Sequence, residues 1–294
     1  MQIGFSSYSF HAATSAGRMT LPEVVDWVAD SPGEHFEIAV VGKTDNPLTD
    51  LSDLPNNHEL LDALGARIDA TGVTLSQLAI PGNLWQDDEE KVEEQKANMK
   101  RHIDLAAELG IKLLRHDVSH GNHPGDDSPL FDEALPVIAK HAKEVAQYAA
   151  TKGVTTSIEN HGYFVQGSER VRRVIRAVDE SNFKTTLDIG NFLCTDEDPV
   201  VAVGNNLPYA SIVHLKDFYV RTQDPGEGFF QSRGGKFLRG AIVGQGDIDM
   251  RGVIGAVKAS GYDGFVSIEF EGHEDPFVGC SRGIKNAIRL FDEV

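Results

Sequence analysis

Cysteine is scarce in this 294-residue chain: only Cys194 and Cys280 are present. Two thiols cannot build a disulfide framework, and a reduced, cytoplasmic setting is the simplest expectation. Long apolar runs are missing too. No stretch approaches the roughly 18–20 apolar residues of a membrane helix, so no membrane partner is expected. The opening MQIGFSSYSF has no basic leader and reads as a strand, not a signal peptide. Positive charge is also short. Lys and Arg number 27 against 45 Asp and Glu, for a net charge of −18. Such a surface repels nucleic-acid phosphates and anionic lipid, which disfavours a DNA- or RNA-binding role. Solubility or a salty habitat accounts for the acidity without a partner, and an acidic surface leaves room for a small site lined with cations. No low-complexity segment and no linker divides the chain.

What is present is an alternation. Short β-branched or apolar runs recur at 3–10 (IGFSSYSF), 35–40 (HFEIAV), 74–80 (TLSQLAI), 112–119 (KLLRHDVS), 154–160 (VTTSIEN), 184–191 (KTTLDIGN), 211–218 (SIVHLKDF) and 265–271 (FVSIEFE). A stretch of helical period follows each. Thr20 and Ser168 read as N-caps, with Pro22 in the first turn after Thr20, and Gly110, Gly153 and Gly261 read as stops. Pro136 interrupts the pattern at 131–153 and predicts a later helix start there. Eight strands alternating with eight helices predict one (β/α)8 TIM barrel spanning 1–294. A doubly wound open sheet is the alternative. Its glycine-rich dinucleotide turn is missing, because the first strand runs into SSYSFHAATSAG.

In a barrel the C-terminal strand ends form the reactive face. Here the fifth to eighth strands end in Glu159, Asp188, His214 and Glu269. Taken singly, a carboxylate at a strand end reads as a cap or a loop ion pair, and a lone histidine as a hydrogen-bonded structural residue. Four on consecutive strands at similar depth read differently. Three carboxylates crowded together repel unless a cation lies among them. One imidazole and three carboxylates suit Mn²⁺, Co²⁺, Mg²⁺, Zn²⁺ or Fe²⁺, and the oxygen-rich set leans toward Mn²⁺ or Mg²⁺.

The runs SIENHG, TLDIGN, VHLKD, VGQGDID and VSIEFEG, in this order, resemble the sugar isomerase/epimerase group of xylose isomerase-like TIM barrels. That group includes ketose 3-epimerases, inosose dehydratases and hydroxypyruvate isomerases, and endonuclease IV is a more distant branch. The resemblance covers essentially the whole chain and is strongest from 154 to 272. It implies that Glu159, Asp188, His214 and Glu269 hold a divalent metal, with Mn²⁺ first in line. It also implies that Glu159 and Glu269 act as an acid/base pair on a keto-sugar or keto-polyol, through a metal-stabilised enediolate. A lyase on a keto-sugar or keto-inositol is the alternative, and a non-catalytic carbohydrate-binding barrel is a third reading. Two departures matter. Many relatives carry histidine where this chain has Asn191, which can hydrogen-bond a substrate hydroxyl but ligates metal poorly. The segment after the seventh strand holds no histidine, so the multi-zinc site of the endonuclease branch cannot form.

Other residues at the mouth have two readings each. Glu271 is a third acid/base group or an ion-pair partner. His161, in phase with Glu159, contacts substrate or caps a loop. On the fourth strand, alternation admits either His116 or Asp117, and we take His116 as the inward one. Lys216 binds a substrate oxygen or steadies a carboxylate. Glu37 reaches substrate or forms a structural ion pair, and Trp85 stacks on a sugar or packs in the core. The segment 218–246 is too long for an ordinary loop and reads as a surface insertion or a lid over the site. Its cations Arg221, Arg233, Lys236 and Arg239 face an acidic substrate in the lid reading, with Arg221 placed in the binding set. Asp247 or Asp249 is expected to cap the next helix. The expected partner is a small carbohydrate, and a homo-oligomer is left open.

Overall fold

A computed structural model describes residues 1–119 and 128–294. Eight parallel strands close into a barrel: β1 (Gln2–Ser6), β2 (His35–Ala39), β3 (Thr74–Ile80), β4 (Leu113–His116), β5 (Thr155–Glu159), β6 (Phe183–Asp188), β7 (Ala210–Leu215) and β11 (Phe265–Ile268). β1 completes the ring by pairing with β2 on one side and β11 on the other. Between β7 and β11 lie β8 (Asp217–Arg221), β9 (Phe230–Gln231) and β10 (Phe237–Ala241), which form a separate antiparallel sheet. The expected (β/α)8 architecture is therefore present. The open-sheet alternative is excluded by the closure.

The helices start and stop for local reasons. In α2 (Leu21–Ala29) the Thr20 hydroxyl accepts from the Glu23 N–H while the Glu23 carboxylate accepts from the Thr20 N–H, a complete capping box. α4 (Glu89–Glu108) is capped by Asp88, and α8 (Met250–Ala259) by Asp249. Asp247 does not cap; it pairs with Arg221. The N-cap of α6 (Ser168–Val178) is Gly167, one residue before the expected Ser168. α5 (Ser128–Thr151) runs through Pro136 and does not begin after it. Among the described residues, no helix is long and apolar enough to cross a membrane.

Two strand boundaries differ from expectation. The first strand stops at Ser6, and Ser7–Phe10 forms a 3-10 turn. The run SIVHLKDF splits after Leu215: its first part belongs to the barrel, and Asp217 opens the antiparallel sheet. The segment 218–246 thus carries a three-stranded antiparallel sheet joined by turns, and is not a structureless loop.

The barrel strands are buried on both faces, as parallel strands under a helical layer must be. Their outward side chains, including Ile38, Leu78, Leu114, Ile158, Leu187 and Val213, are fully buried against the helices. The interior is polar. Ser157 bonds Thr186, Thr186 donates across the barrel to Gln77, Gln77 donates to Glu37, and Ser267 donates to Glu37. This network forms the floor on which the mouth residues stand.

Candidate active site

Four side chains converge at the C-terminal end of the barrel. Glu159 ends β5, Asp188 ends β6, His214 lies near the end of β7, and Glu269 follows β11. Each offers one ligand-type atom, these atoms lie within 4.8 Å of one another, and all four residues are buried. Strand register explains the convergence. A shift between Thr185 and Thr186 brings Asp188 level with His214, and His214 is level with Ser267, two residues before Glu269. A second shift between Phe36 and Glu37 sets Glu37 opposite Gln77. Such irregularities re-aim side chains without breaking the sheet.

The cluster has the chemistry of a divalent-metal site. Asp188 Oδ1 accepts the backbone N–H groups of Gly190 and Asn191 at 2.8 Å. His214 Nδ1 is buried without a hydrogen-bond partner, and Asp188 Oδ2, also buried and without a hydrogen bond, faces the Lys216 ammonium at 3.2 Å. A buried unsatisfied group costs about 1–3 kcal/mol. A cation at the centre would satisfy both atoms, and one imidazole with three carboxylates suits a divalent ion.

Two cations already brace the carboxylates. Lys216 Nζ lies 3.2 Å from Asp188 Oδ2, 2.7 Å from Glu269 Oε2 and 3.0 Å from Glu271 Oε1. Arg115 reaches Asp117 at 2.8 Å and Glu159 at 2.9 Å. Asn191 donates to Glu159 Oε1 at 2.8 Å and accepts from Lys216 at 3.2 Å, so it connects the two halves of the site.

The charges perturb one another strongly. Burial pushes the Asp188 carboxyl up to about 7, against the pull of Lys216. Burial also works against an ionised Glu269, yet Lys216 and His214 hold its pKa well below the usual carboxylate range. Burial opposes the His214 imidazolium, but Glu37 and Glu269 outweigh it and raise its pKa well above normal. Lys216 is raised likewise, as Asp188, Glu269 and Glu271 overcome its burial.

A cavity of about 250 Å³ opens over the cluster. One wall is apolar: Ala39, Val40, Val41, Ala79 and Pro81, with Tyr8 beside them. The other walls carry Glu37, Arg115, Asp117, Glu159, His161, His214, Lys216, Glu269 and Glu271. His161 is half-exposed, 3.6 Å from Asp117. Burial lowers its pKa, but Asp117 more than compensates and the net shift is upward.

Three expected binding residues do not line the cavity. Asn191 is buried beside it, bonded to Glu159 and Lys216. His116 points outward with Leu114; it is fully buried, its Nδ1 donates to the Asp117 carbonyl, and its ring lies 6.1 Å from that of Phe183. The inward phase of β4 belongs to Arg115 and Asp117, the opposite of the choice made from sequence. Arg221 pairs with Asp247 at 3.0 Å on the antiparallel sheet and is absent from the cavity walls. Trp85 stacks on Phe164 at 4.7 Å, a packing role. Arg115 and Tyr8 were missed. Arg115 stands two residues before Asp117, so reading that phase as inward would have found it.

A family model described as Xylose isomerase-like TIM barrel matches residues 25–293. Inosose dehydratase from Geobacillus thermodenitrificans is 26% identical over 200 residues. That match spans 63% of this chain and 65% of the relative, just under two thirds of its length. Among solved structures, the IOLI protein with a bound zinc atom superimposes with a TM-score of 0.78 at 17% identity, covering 100% of this chain and 99% of that one. The 3-keto-D-glucoside 4-epimerase from E. coli gives 0.72 at 17% identity, covering 99% and 98%. At these identities the structural likeness shows a shared fold.

Proposed function

The chain belongs to the xylose isomerase-like TIM barrel family, and from that premise we propose a divalent-metal-dependent isomerase or epimerase acting on an uncharged keto-sugar or keto-polyol. The observation that carries this reading is the placement of Glu159 and Glu269. Both border the cavity, both belong to the four-residue cluster, and their strands stand three steps apart around an eight-strand ring.

A divalent ion held by Glu159, Asp188, His214 and Glu269 would polarise a substrate carbonyl and acidify the neighbouring C–H. The oxygen-rich donors favour Mn²⁺, with Mg²⁺, Co²⁺ and Zn²⁺ also compatible. Glu269, kept ionised by Lys216, takes the proton from carbon. Glu159, held in place by Arg115 and Asn191, takes up a proton from solvent and delivers it to carbon on the other face, while Glu269 releases its proton to solvent. The apolar wall from Ala39 to Pro81 receives the C–H face of the substrate. His161, Asp117 and Tyr8 face its hydroxyls.

Charge narrows the substrate. Glu37, Asp117, Glu159, Glu269 and Glu271 line the cavity, while among the described residues its permanently charged cations, Arg115 and Lys216, are both committed to carboxylates. A phosphate or carboxylate on the substrate would meet repulsion.

A dehydratase is the second reading. Glu271 and Lys216 sit beside Glu269, where an acid could protonate a departing hydroxyl, and the curated relative above bears that activity.

Proton NMR in D₂O tests the proposal. With Mn²⁺ loaded and later stripped, ketoses, keto-inositols and 3-keto-glycosides are expected to gain deuterium at the carbon beside the carbonyl. An epimer or isomer among the products supports the first reading, and loss of water supports the second. No exchange with any of them, with metal bound, refutes both.

A further inference from the structure

Glu37 lies on β2, on the far side of the barrel interior from β6 and outside the four-residue cluster. It borders the cavity but has no solvent-exposed surface. Its carboxylate instead receives three donors. Oε2 accepts from His214 Nε2 at 2.9 Å and from the Ser267 hydroxyl at 2.8 Å. Oε1 accepts from the Gln77 amide at 3.3 Å. The register shift at Phe36/Glu37 sets this geometry by bringing Glu37 level with Gln77.

His214 has two ring nitrogens. One is bonded to Glu37, and the other, Nδ1, is buried without a hydrogen-bond partner among Glu159, Asp188 and Glu269. An imidazole ligates through an unprotonated nitrogen, and a carboxylate on the opposite nitrogen fixes which one that is. We infer that Glu37 is a positioning residue: by holding the proton of His214 on Nε2, it presents Nδ1 as the metal-binding lone pair and fixes the plane of the ring. Ser267 and Gln77 in turn orient the carboxylate. The assignment rests on the reading of the cluster as a metal centre.

An acceptor-only group suits this position. Alanine at 37 leaves the Nε2–H, the serine hydroxyl and the glutamine amide facing an empty space. Glutamine keeps one acceptor but puts a second N–H donor among existing donors, and it removes the negative charge that raises ligand basicity.

The test is calorimetric titration of the metal-stripped protein with Mn²⁺ alone, for wild type, Glu37→Ala and Glu37→Gln. It is paired with ¹⁵N NMR of the histidine rings in the Zn²⁺-loaded forms. Wild type is expected to bind one equivalent, with His214 in the Nε2–H form. Glu37→Ala is expected to bind about 10- to 100-fold more weakly and to lose the fixed tautomer. Glu37→Gln, the variant that preserves side-chain volume, falls between them and covers the case in which alanine does not fold. Undiminished Mn²⁺ affinity in a folded Glu37 variant, with the Nε2–H tautomer retained, overturns the assignment and leaves the metal centre standing. Failure of wild type to bind Mn²⁺ overturns the metal-centre reading itself, and the assignment with it.

Discussion

Lys216 illustrates how one residue serves several partners. Its ammonium meets Asp188, Glu269, Glu271 and Asn191 within 3.2 Å, in a site where it is almost wholly buried. A buried ammonium in that position compensates carboxylates that would otherwise repel one another. For the proposed metal centre, the residue-scale consequence is a pH-dependent affinity. The Asp188 carboxyl is pushed up to about 7 by burial, and His214 is raised well above its ordinary value despite burial because Glu37 and Glu269 flank it. Both must shed protons to ligate. Protons therefore compete with metal, and affinity rises with pH through about 7. Titration at pH 6, 7 and 8 is expected to show tighter binding at each step, with proton release measurable in buffers of different ionisation enthalpy. His214→Ala abolishes stoichiometric binding while the barrel stays folded by circular dichroism. A pH-independent affinity would contradict the cluster as the binding site.

Individual residues also show where sequence reading stops. Glu159, Asp188, His214 and Glu269 could be brought together from sequence because each ends a strand with a clear β-branched approach. The fourth strand was ambiguous. In KLLRHDVS both phases carry ionisable groups and both carry leucine, so alternation alone could not choose between His116 and its neighbours. The choice was made by packing: Leu114 and His116 face the helical layer, and Arg115 and Asp117 are left for the mouth. Burial lowers the pKa of His116 to about 4, consistent with a neutral core histidine.

At the scale of elements, Asp217 stands out. It is the hinge residue between β7 and the antiparallel sheet. Oδ2 accepts from the N–H groups of Gly244 and Gly246 at 2.9 Å, and Oδ1 accepts from Phe218 at 2.9 Å and Ile248 at 3.4 Å. One carboxylate thereby ties the start of β8 to the loop that follows β10. The GQGDID run passes close: a Cβ on Gly246 would sit 2.2 Å from Asp217 Oδ1. The aspartate of SIVHLKDF is thus an anchor for the sheet beside the mouth and not a site residue. Asp217→Asn replaces one acceptor oxygen by a donor and leaves at least one backbone N–H unsatisfied. It is expected to cost about 2–4 kcal/mol in urea unfolding. A change below about 0.5 kcal/mol would show that the loop relaxes around the substitution. The sheet itself docks at a tight point, with Gly240 bridged to Gly272 next to Glu271. Its position therefore bears on Glu271, which a floppy lid would not.

At the scale of the whole molecule, charge is distributed unevenly in effect. The chain carries 45 acidic against 27 basic side chains, and many pairs on the surface are exposed and well solvated. Exposed pairs contribute little, so the net −18 acts mainly as self-repulsion. Raising NaCl from 0.05 to 0.5 M is expected to raise the thermal midpoint, by about 2–4 °C for each kcal/mol of repulsion relieved. A midpoint that falls with salt would mean that ion pairs outweigh the repulsion.

The sequence by itself determined the alternation of strands and helices, hence the barrel, and the depth at which four ligand-type residues end their strands. Those features are local: period, caps and strand ends lie within a few residues of one another. Tertiary structure decided which phase of β4 faces the mouth, how SIVHLKDF divides between two sheets, and what Glu37 touches. These depend on contacts across the ring. Glu37 and His214 are 177 residues apart in the chain. Only closure of the barrel, with its two register shifts, places the carboxylate of one on the ring nitrogen of the other.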